Sequence, residues 1–303
     1  MNEPSAKPAP TLARYAGAEP PAPQWFRDAV DTPHERSRVE VEGADIEWLG
    51  WGERGRPGLL FLHGNGAHAD WWRFTAPFFA QTHRVAALSW SGMGNSDHRP
   101  AYTMELFVAE ILAVAQAAGL LDHGPFTVVG HSFGGFPMMA LASRPDAPLK
   151  QAIILDTPFD QEQRRRPRDT GGDARPHHVY PTMAEALARF RWAPPQPTTN
   201  DYIADFIARL SLKPVEGGFT WKFDPFLWSD FERRDSSDPL RSPHCPVALL
   251  WGERSELVNA GLVADMIGRL PASTRLVPIP EAYHHVMADQ PLALLTALRG
   301  LFA

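Results

Sequence analysis

Cysteine is nearly absent from this sequence, since Cys245 is the only one in 303 residues. A single thiol cannot form an internal disulfide, and it cannot build a metal site from several thiolates. Both exclusions suit a reducing compartment, so we expect a cytoplasmic protein.

Long apolar runs and an excess of one charge are also missing. No apolar stretch approaches the roughly 18 residues of a membrane-spanning helix, and the N-terminus lacks the basic start and apolar core of a signal peptide. The formal charge at pH 7 is −6, with acidic and basic residues interspersed. We therefore expect no stable membrane insertion and no nucleic-acid partner. Composition leaves the oligomeric state open.

Proline and tryptophan, in contrast, are abundant, with 30 and 10 copies. Six of the prolines lie among alanine and glutamate within the first 23 residues. This composition predicts a flexible or extended arm over residues 1–24, because it offers little apolar surface to bury. From Trp25 onward the sequence is apolar enough to dock on a core.

Hydrophobic periodicity predicts an α/β architecture. The segments "SRVEVEG" and "ADIEWLGWG" alternate between apolar and polar residues, which is typical of a hairpin that is open to solvent on one face. Continuously apolar runs, typical of strands covered on both faces, follow at 59–62, 84–90, 126–130, 152–156, 246–252 and 274–280. Helical patterns lie between them at 69–80, 103–119, 133–144, 258–270 and 291–302. We predict a mostly parallel sheet with helices on both faces, built from residues 25–156 and 244–303.

The alternation is interrupted once, over residues 157–243. The interruption opens with an arginine-rich stretch, 160–178, in which acidic residues are interleaved, so a solvated loop is expected there. Helical patterns follow at 182–192 and 201–212, which predicts a helical insertion over the sheet. His177 and His178 are adjacent and face different ways, and no other ligand falls at metal spacing, so we predict no metal site there.

The turn after the strand at 126–130 is a candidate nucleophile site. Gly130-His131-Ser132-Phe133-Gly134 matches G-x-S-x-G, in which a strained turn between strand and helix exposes the serine hydroxyl. The flanking glycines keep side chains from colliding where the strand and the helix nearly touch. Ser132 is therefore the candidate nucleophile, although the motif by itself is also compatible with an ordinary glycine-rich turn.

A base and oxyanion donors are available at other strand ends. His284 and His285 lie in a loop after the last strand, at the edge where ligands bind in open α/β folds, and we favour His284 as the base. The turn "HGNG" (63–66) ends another buried strand, so the amides of Asn65 and Phe133 are candidate oxyanion-hole donors.

The order and spacing of these motifs resemble the α/β-hydrolase fold family. The motifs are "FLHGNGAHADWW", "SWSGMGNSD", "VVGHSFGG", "LLWGERSEL" and "AYHHVMADQP", and they extend the resemblance over roughly 37–303. The resemblance implies a mostly parallel eight-stranded sheet, a helical lid inserted at 157–243 after strand six, a serine–histidine–acid triad and no organic cofactor. It assigns Ser132 as nucleophile, His284 as base, and the Asn65 and Phe133 amides as the oxyanion hole. The turn that carries Ser132 is called the elbow. Related dehalogenases and epoxide hydrolases use aspartate in the elbow, so the serine argues against those two reactions.

The acid departs from the family pattern. Many members place aspartate three residues after the glycine that ends strand seven, and here that position is Ser255. Glu256, one residue later, is our first choice, because its side chain is longer than that of aspartate and could compensate for the shift of one residue from the usual position. Asp156, at the end of the preceding strand, is the alternative, and Glu253 is the third choice.

Aromatic residues indicate the substrate class. We expect His63, Trp71, Trp72 and His131 to line a pocket for an uncharged, largely apolar small molecule. The leading hypothesis is a cofactor-independent serine hydrolase, of carboxylesterase or lactonase type, that cleaves an ester, lactone or carbon–carbon bond. The alternatives are a non-hydrolytic enzyme on the same scaffold, such as a lyase or a perhydrolase-type haloperoxidase, and a ligand-binding protein with low turnover.

Overall fold

The computed structural model describes residues 11–160, 174–229, 231–232 and 238–302. At its centre is an eight-stranded sheet with the order β1-β2-β4-β3-β5-β6-β7-β8. The strands are β1 (Glu35–Val41), β2 (Ala44–Trp51), β3 (Gly58–Leu62), β4 (Arg84–Leu88), β5 (Phe126–His131), β6 (Leu149–Leu155), β7 (Val247–Gly252) and β8 (Arg275–Ile279). Strand β2 runs antiparallel to β1 and β4, and the other neighbouring pairs are parallel. The predicted mostly parallel sheet is confirmed.

Helices cover both faces of this sheet. They are α1 (Gln24–Val30), α2 (Met104–Ala117), α3 (Gly135–Ala142), α4 (Met183–Leu187), α5 (Asp201–Leu210), α6 (Ala260–Arg269), α7 (Val286–Asp289) and α8 (Pro291–Phe302). Side chains of β3 alternate between two apolar clusters, with Leu59 and Phe61 in one and Leu60 and Leu62 in the other. Because both faces are buried, the strand is apolar throughout rather than alternating. Among the described residues no helix has the length and hydropathy needed to cross a bilayer.

The segment predicted as a helix over 69–80 is instead two short 3₁₀ turns, Ala69–Trp72 and Ala76–Phe79. Thr75 between them has non-helical backbone angles, and Pro77 cannot donate the hydrogen bond that a continuous helix would require. The apolar spacing serves packing instead, since Trp72 is buried and stacks on Phe61 with ring centroids 4.7 Å apart.

The segment 157–243 contains helices α4 and α5, as expected, and also a β-hairpin formed by Leu212–Val215 and Gly218–Trp221. The hairpin was not predicted, although Gly217, with φ of 84°, supplies the turn that connects its strands. Residues 161–173, which hold most of the arginine-rich stretch, lie outside the described residues.

The predicted flexible arm needs correction for residues 11–24, while residues 1–10 lie outside the described part of the chain. Leu12 is buried, the Tyr15 hydroxyl donates a 2.6 Å hydrogen bond to Asp201, and the Arg209 guanidinium donates to the Gly17 carbonyl. These contacts dock the segment on α5, so its proline-rich composition reflects an extended path over the surface.

Candidate active site

The elbow after β5 has the geometry that its glycines allow. Ser132 has φ of 51°, in the left-handed region, and it is half-buried at the start of the turn that leads into α3. A Cβ on Gly130 would lie 2.8 Å from the Gly134 carbonyl oxygen, and a Cβ on Gly135 would lie 2.1 Å from Thr157 Oγ1. Strand and helix therefore approach so closely at the serine that these positions exclude side chains.

Alanine at position 130 tests this close approach. We expect Gly130→Ala to lower the free energy of unfolding by about 1–3 kcal/mol, because the new methyl group meets backbone atoms that cannot rotate away. The matched control is Gly268→Ala in α6, where a Cβ meets nothing within 4 Å and where alanine should stabilise the helix by up to about 1 kcal/mol. Urea denaturation of both variants measures the difference, and equal stabilities would contradict the interpretation.

Ser132, His284 and Asp156 form one hydrogen-bonded chain. His284 Nδ1 donates to Asp156 Oδ2 over 2.7 Å, and the Ser132 hydroxyl lies 3.0 Å from His284 Nε2. Because Nδ1 carries the proton toward the carboxylate, Nε2 presents its lone pair to the serine hydroxyl. The arrangement can remove the serine proton as the oxygen attacks a carbonyl.

The carboxylate beside His284 belongs to Asp156, not to Glu256 as first expected from the sequence. Asp156 is fully buried at the end of β6, and besides His284 its oxygens accept hydrogen bonds from the Gly252 amide (2.9 Å) and the Ser255 hydroxyl (2.7 Å). Three donors compensate for the lost hydration of a buried carboxylate. Glu256 and Glu253 are exposed to solvent. Ser255 occupies the position after β7 where the acid was sought, and there its hydroxyl donates to the Asp156 carboxylate of the adjacent strand.

The turn predicted to supply the oxyanion hole lies directly beside Ser132. A Cβ on Gly64 would be 3.0 Å from Ser132 Cβ, so only glycine allows this approach without displacement. Asn65 is exposed, and its side-chain oxygen accepts a 3.1 Å hydrogen bond from the Trp228 indole. The turn that carries Asn65 thus lies beside Ser132, and Phe133 directly follows the serine. The role of the Asn65 and Phe133 amides as oxyanion donors stays a prediction.

Two of the predicted pocket residues lie in the core instead. Trp72 is fully buried beneath the sheet edge, and His63 is 1% exposed with Nδ1 donating to the Gly64 carbonyl and Nε2 accepting from the Trp90 amide. Burial lowers the pKa of His63 to about 3, so the ring is a neutral structural element of the turn.

The other two predicted pocket residues, Trp71 and His131, contact the loop that carries His284 and His285. His131 Nε2 donates to the His284 carbonyl over 2.9 Å and so anchors the backbone of His284. Trp71 packs against His285, with ring centroids 5.5 Å apart, and Trp192 from the segment 157–243 packs on the same ring at 4.8 Å. His285 thus packs against both indoles, and it is His284 that contacts the serine.

Gln196 and Asp289, which the sequence analysis did not single out, connect the segment 157–243 to the loop that carries His284. The Gln196 side chain accepts from the His285 amide over 2.9 Å and donates to Asp289 Oδ1 over 2.8 Å. Asp289 Oδ2 accepts from the Tyr283 amide. Gln196 and Asp289 therefore bracket His284 from both sides. The sequence gives one indication of Asp289, which is the single acidic residue in "HHVMADQP", a segment of the kind that is usually buried.

The buried Asp289 predicts a pH dependence of stability. Burial is the main cause that raises its pKa from 3.8 to about 6, and the nearby Asp156 acts in the same direction. Between about pH 4 and 6 the folded chain thus binds a proton that the unfolded chain releases, so stability falls as the pH rises, by up to about 3 kcal/mol for this group. We expect Asp289→Asn to have a flatter profile of unfolding free energy between about pH 4.5 and 6.5, measured in urea; parallel profiles would contradict this.

Comparison with known proteins supports the family suggested by this geometry. The sequence profile of the alpha/beta hydrolase fold family matches residues 57–291. The thioesterase domain from the curacin biosynthetic pathway has a similar structure, with a TM-score of 0.74 and 24% identity over 88% of this chain and 100% of that domain. Esterase Rv0045c of Mycobacterium tuberculosis is 24% identical over 95% of this chain and 92% of its own length.

Epoxide hydrolases are also among the relatives. Epoxide hydrolase 4 of Mus musculus is 29% identical, over 50% of this chain and 42% of its own length. The human form gives a similar match, so the chain aligns with less than half of the length of these two relatives. Taken with the eight-stranded sheet and the strained serine turn, the match over 57–291 shows that this chain belongs to the alpha/beta hydrolase fold family.

Proposed function

We propose that the protein is a cofactor-independent serine hydrolase that cleaves its substrate through an acyl-enzyme on Ser132. The observation that carries the proposal is the continuous hydrogen-bonded chain from the Ser132 hydroxyl through His284 to Asp156. His284 takes the serine proton as the oxygen attacks the substrate carbonyl, and returns it to the leaving group. The amides of Asn65 and Phe133 stabilise the oxyanion, and His284 then activates the water that hydrolyses the acyl-enzyme.

The serine distinguishes this reaction from that of the epoxide hydrolase relatives. Opening an epoxide with a carboxylate nucleophile gives an ester, which water can hydrolyse. The Ser132 hydroxyl would instead form an ether with the epoxide carbon, and an ether would not be released. Attack on a carbonyl gives an ester that the same histidine can help to hydrolyse. Similarity to epoxide hydrolases therefore supports the scaffold, while Ser132 favours acyl transfer.

An uncharged and largely apolar substrate fits the side chains around Ser132. Trp228 packs on Phe133 with ring centroids 5.3 Å apart, and Trp71 packs on Trp192 at 5.7 Å. Burial lowers the pKa values of His131 and His285 well below the usual range, so these rings carry no charge at neutral pH. Apolar walls with few polar groups suit the acyl part of an ester or lactone, or an uncharged ketone in carbon–carbon hydrolysis.

The segment 157–243 is proposed to act as a lid over the core formed by 25–156 and 244–303. Support comes from its contacts on two sides of the serine, through Trp192 at His285 and through Trp228 at Phe133 and Asn65. A cover of this kind would exclude water from the acyl-enzyme except for the attacking molecule. A cytoplasmic location, suggested by the single cysteine, is part of the same proposal.

Ester hydrolysis and covalent labelling together test the proposal. The purified protein should hydrolyse p-nitrophenyl esters from acetate to octanoate, and a fluorophosphonate should label one residue, located by mass spectrometry as Ser132. Labelling at another serine, or hydrolysis at the rate of the Ser132→Ala variant, would overturn the proposal. Peroxide-dependent halogenation without esterase activity would instead favour the non-hydrolytic alternative.

A further inference from the structure

Three histidine rings meet beside the nucleophile. His131, His284 and His285 each contribute one ring nitrogen to a group in which all three nitrogens lie within 4.8 Å of one another. The ring centroid of His284 is 4.9 Å from that of His131 and 4.9 Å from that of His285, and the His131 and His285 centroids are 5.8 Å apart. All three rings are buried, and the triad uses only one of them.

Hydrogen bonding fixes which nitrogen carries the lone pair on two of these rings. His131 Nε2 donates to the His284 carbonyl, so in the neutral ring Nδ1 carries the lone pair, and this buried atom has no hydrogen-bond partner among the described residues. A Cβ on Gly64 would lie 3.2 Å from His131 Nδ1 and 3.0 Å from Ser132 Cβ, so Nδ1 faces the space beside the nucleophile. His284 Nε2 likewise presents its lone pair to Ser132.

The third ring is also buried without being engaged. Within the part of the chain that the structure describes, neither nitrogen of His285 makes a hydrogen bond of normal geometry, although the Ala193 carbonyl lies nearby, and both nitrogens are shielded from solvent. A ligand could therefore bind this ring without breaking a well-formed hydrogen bond.

We propose that His131, His284 and His285 form a site for a divalent transition-metal ion, with Zn²⁺ as the reference ion. Three neutral imidazoles plus one water are a donor set that zinc accepts in tetrahedral geometry. Zinc–nitrogen bonds of about 2.0–2.1 Å require the rings to draw together from their present separation, so the proposal includes a rotation of the His285 and His284 side chains on binding. Hard ions such as Mg²⁺ and Ca²⁺ prefer oxygen ligands and are not expected to bind.

Binding at this site would switch the enzyme off. A metal on His284 Nε2 takes the lone pair that otherwise accepts the Ser132 proton, so the ion and general-base catalysis exclude each other. The site is therefore inhibitory, and removal of the ion by a chelator restores the free base. The inhibition rests on the proposed hydrolase function, whereas metal binding itself does not.

Binding is tested without using activity. Isothermal titration of Zn²⁺ into the full-length Ser132→Ala variant should give one tight site per chain, and the same titration with Mg²⁺ should give none. We then add His285→Phe, which keeps an aromatic ring against Trp71 and Trp192. This substitution should weaken zinc binding at least about 100-fold, because loss of an outer-shell partner alone lowers metal affinity roughly 10- to 100-fold. Unchanged zinc affinity in the double variant would overturn the proposal, even if the protein proves not to be an esterase.

Inhibition is tested with the same substitution in the active chain. For each variant we measure the zinc concentration that halves ester hydrolysis relative to that variant's own metal-free rate. This concentration should rise at least about 100-fold for His285→Phe and for His131→Gln. The exposed His123 is the matched control, and His123→Gln should retain the wild-type sensitivity. Circular dichroism and fluorophosphonate labelling establish that each variant is folded. If His123→Gln loses the sensitivity and His285→Phe retains it, zinc acts at the surface and the proposal is wrong.

Discussion

Replacement of Ser132 by alanine should lower kcat for p-nitrophenyl butyrate by about 10⁶-fold, the size of loss measured when the nucleophile of a serine protease triad is removed. The physical reason is that no other nucleophile is positioned at His284 Nε2, since the Ser132 oxygen alone lies 3.0 Å from it among the described residues. The backbone should keep its path, because the strained φ of 51° is held by the packing of strand β5 against α3 rather than by the hydroxyl.

The control for this substitution is Ser273→Ala, which changes an exposed serine that lies away from the elbow. Its kcat should stay within about twofold of wild type, because surface substitutions away from special features have small effects. Fluorophosphonate labelling should be lost only in Ser132→Ala. If Ser132→Ala retained most of the activity at equal purity, the acyl-enzyme mechanism would be excluded.

Sequence patterns predicted the sheet and the serine that contacts His284 because both are local signals. Each buried strand is marked by a continuous apolar run, and the serine elbow is held between glycines within five residues. Spacing alone does not decide between His284 and His285, which lie in the same loop, and in the structure the favoured His284 is the ring that contacts Ser132. These features depend little on which side chains of distant segments come together.

The carboxylate that contacts His284 could not be chosen in this way, because the choice depends on the relation between two strands. Asp156 follows β6 and Glu256 follows β7, and these strands are parallel neighbours in the sheet. Both carboxylates therefore start near the same edge, and sequence spacing gives no basis for telling which one turns inward. Asp156 turns inward with φ of 47°, and Ser255 fills the place beside it with a hydroxyl that donates a hydrogen bond.

The pocket was difficult to predict for a related reason. His63 and Trp72 are residue types that are common in binding sites. The segment that carries them is nevertheless folded into the core, where Trp90 packs on His63 and Phe61 packs on Trp72. Gln196 and Asp289 lie 93 residues apart in sequence and meet through one hydrogen bond. Such pairings arise from tertiary packing, and no local periodicity encodes them.

Substitution of Asp156 by asparagine is the most direct test of the acid. It should lower kcat by about 10⁴-fold, the size of loss measured for the same change in the serine triad of trypsin-like enzymes. Asp156 Oδ1 accepts from the Gly252 amide, which cannot reverse its direction. The asparagine oxygen should therefore remain there and place its NH₂ group at the former Oδ2, opposite His284 Nδ1.

That NH₂ group would require His284 Nδ1 to accept a hydrogen bond, and the neutral ring would then carry its proton on Nε2. Nε2 would no longer be able to take the Ser132 proton, so the loss should fall on kcat while KM changes little. Glu256→Gln is the matched control and should retain activity within about twofold, because Glu256 is exposed. A large loss in Glu256→Gln together with a small one in Asp156→Asn would show that the loop after β7 rearranges in solution so that the glutamate serves as the acid.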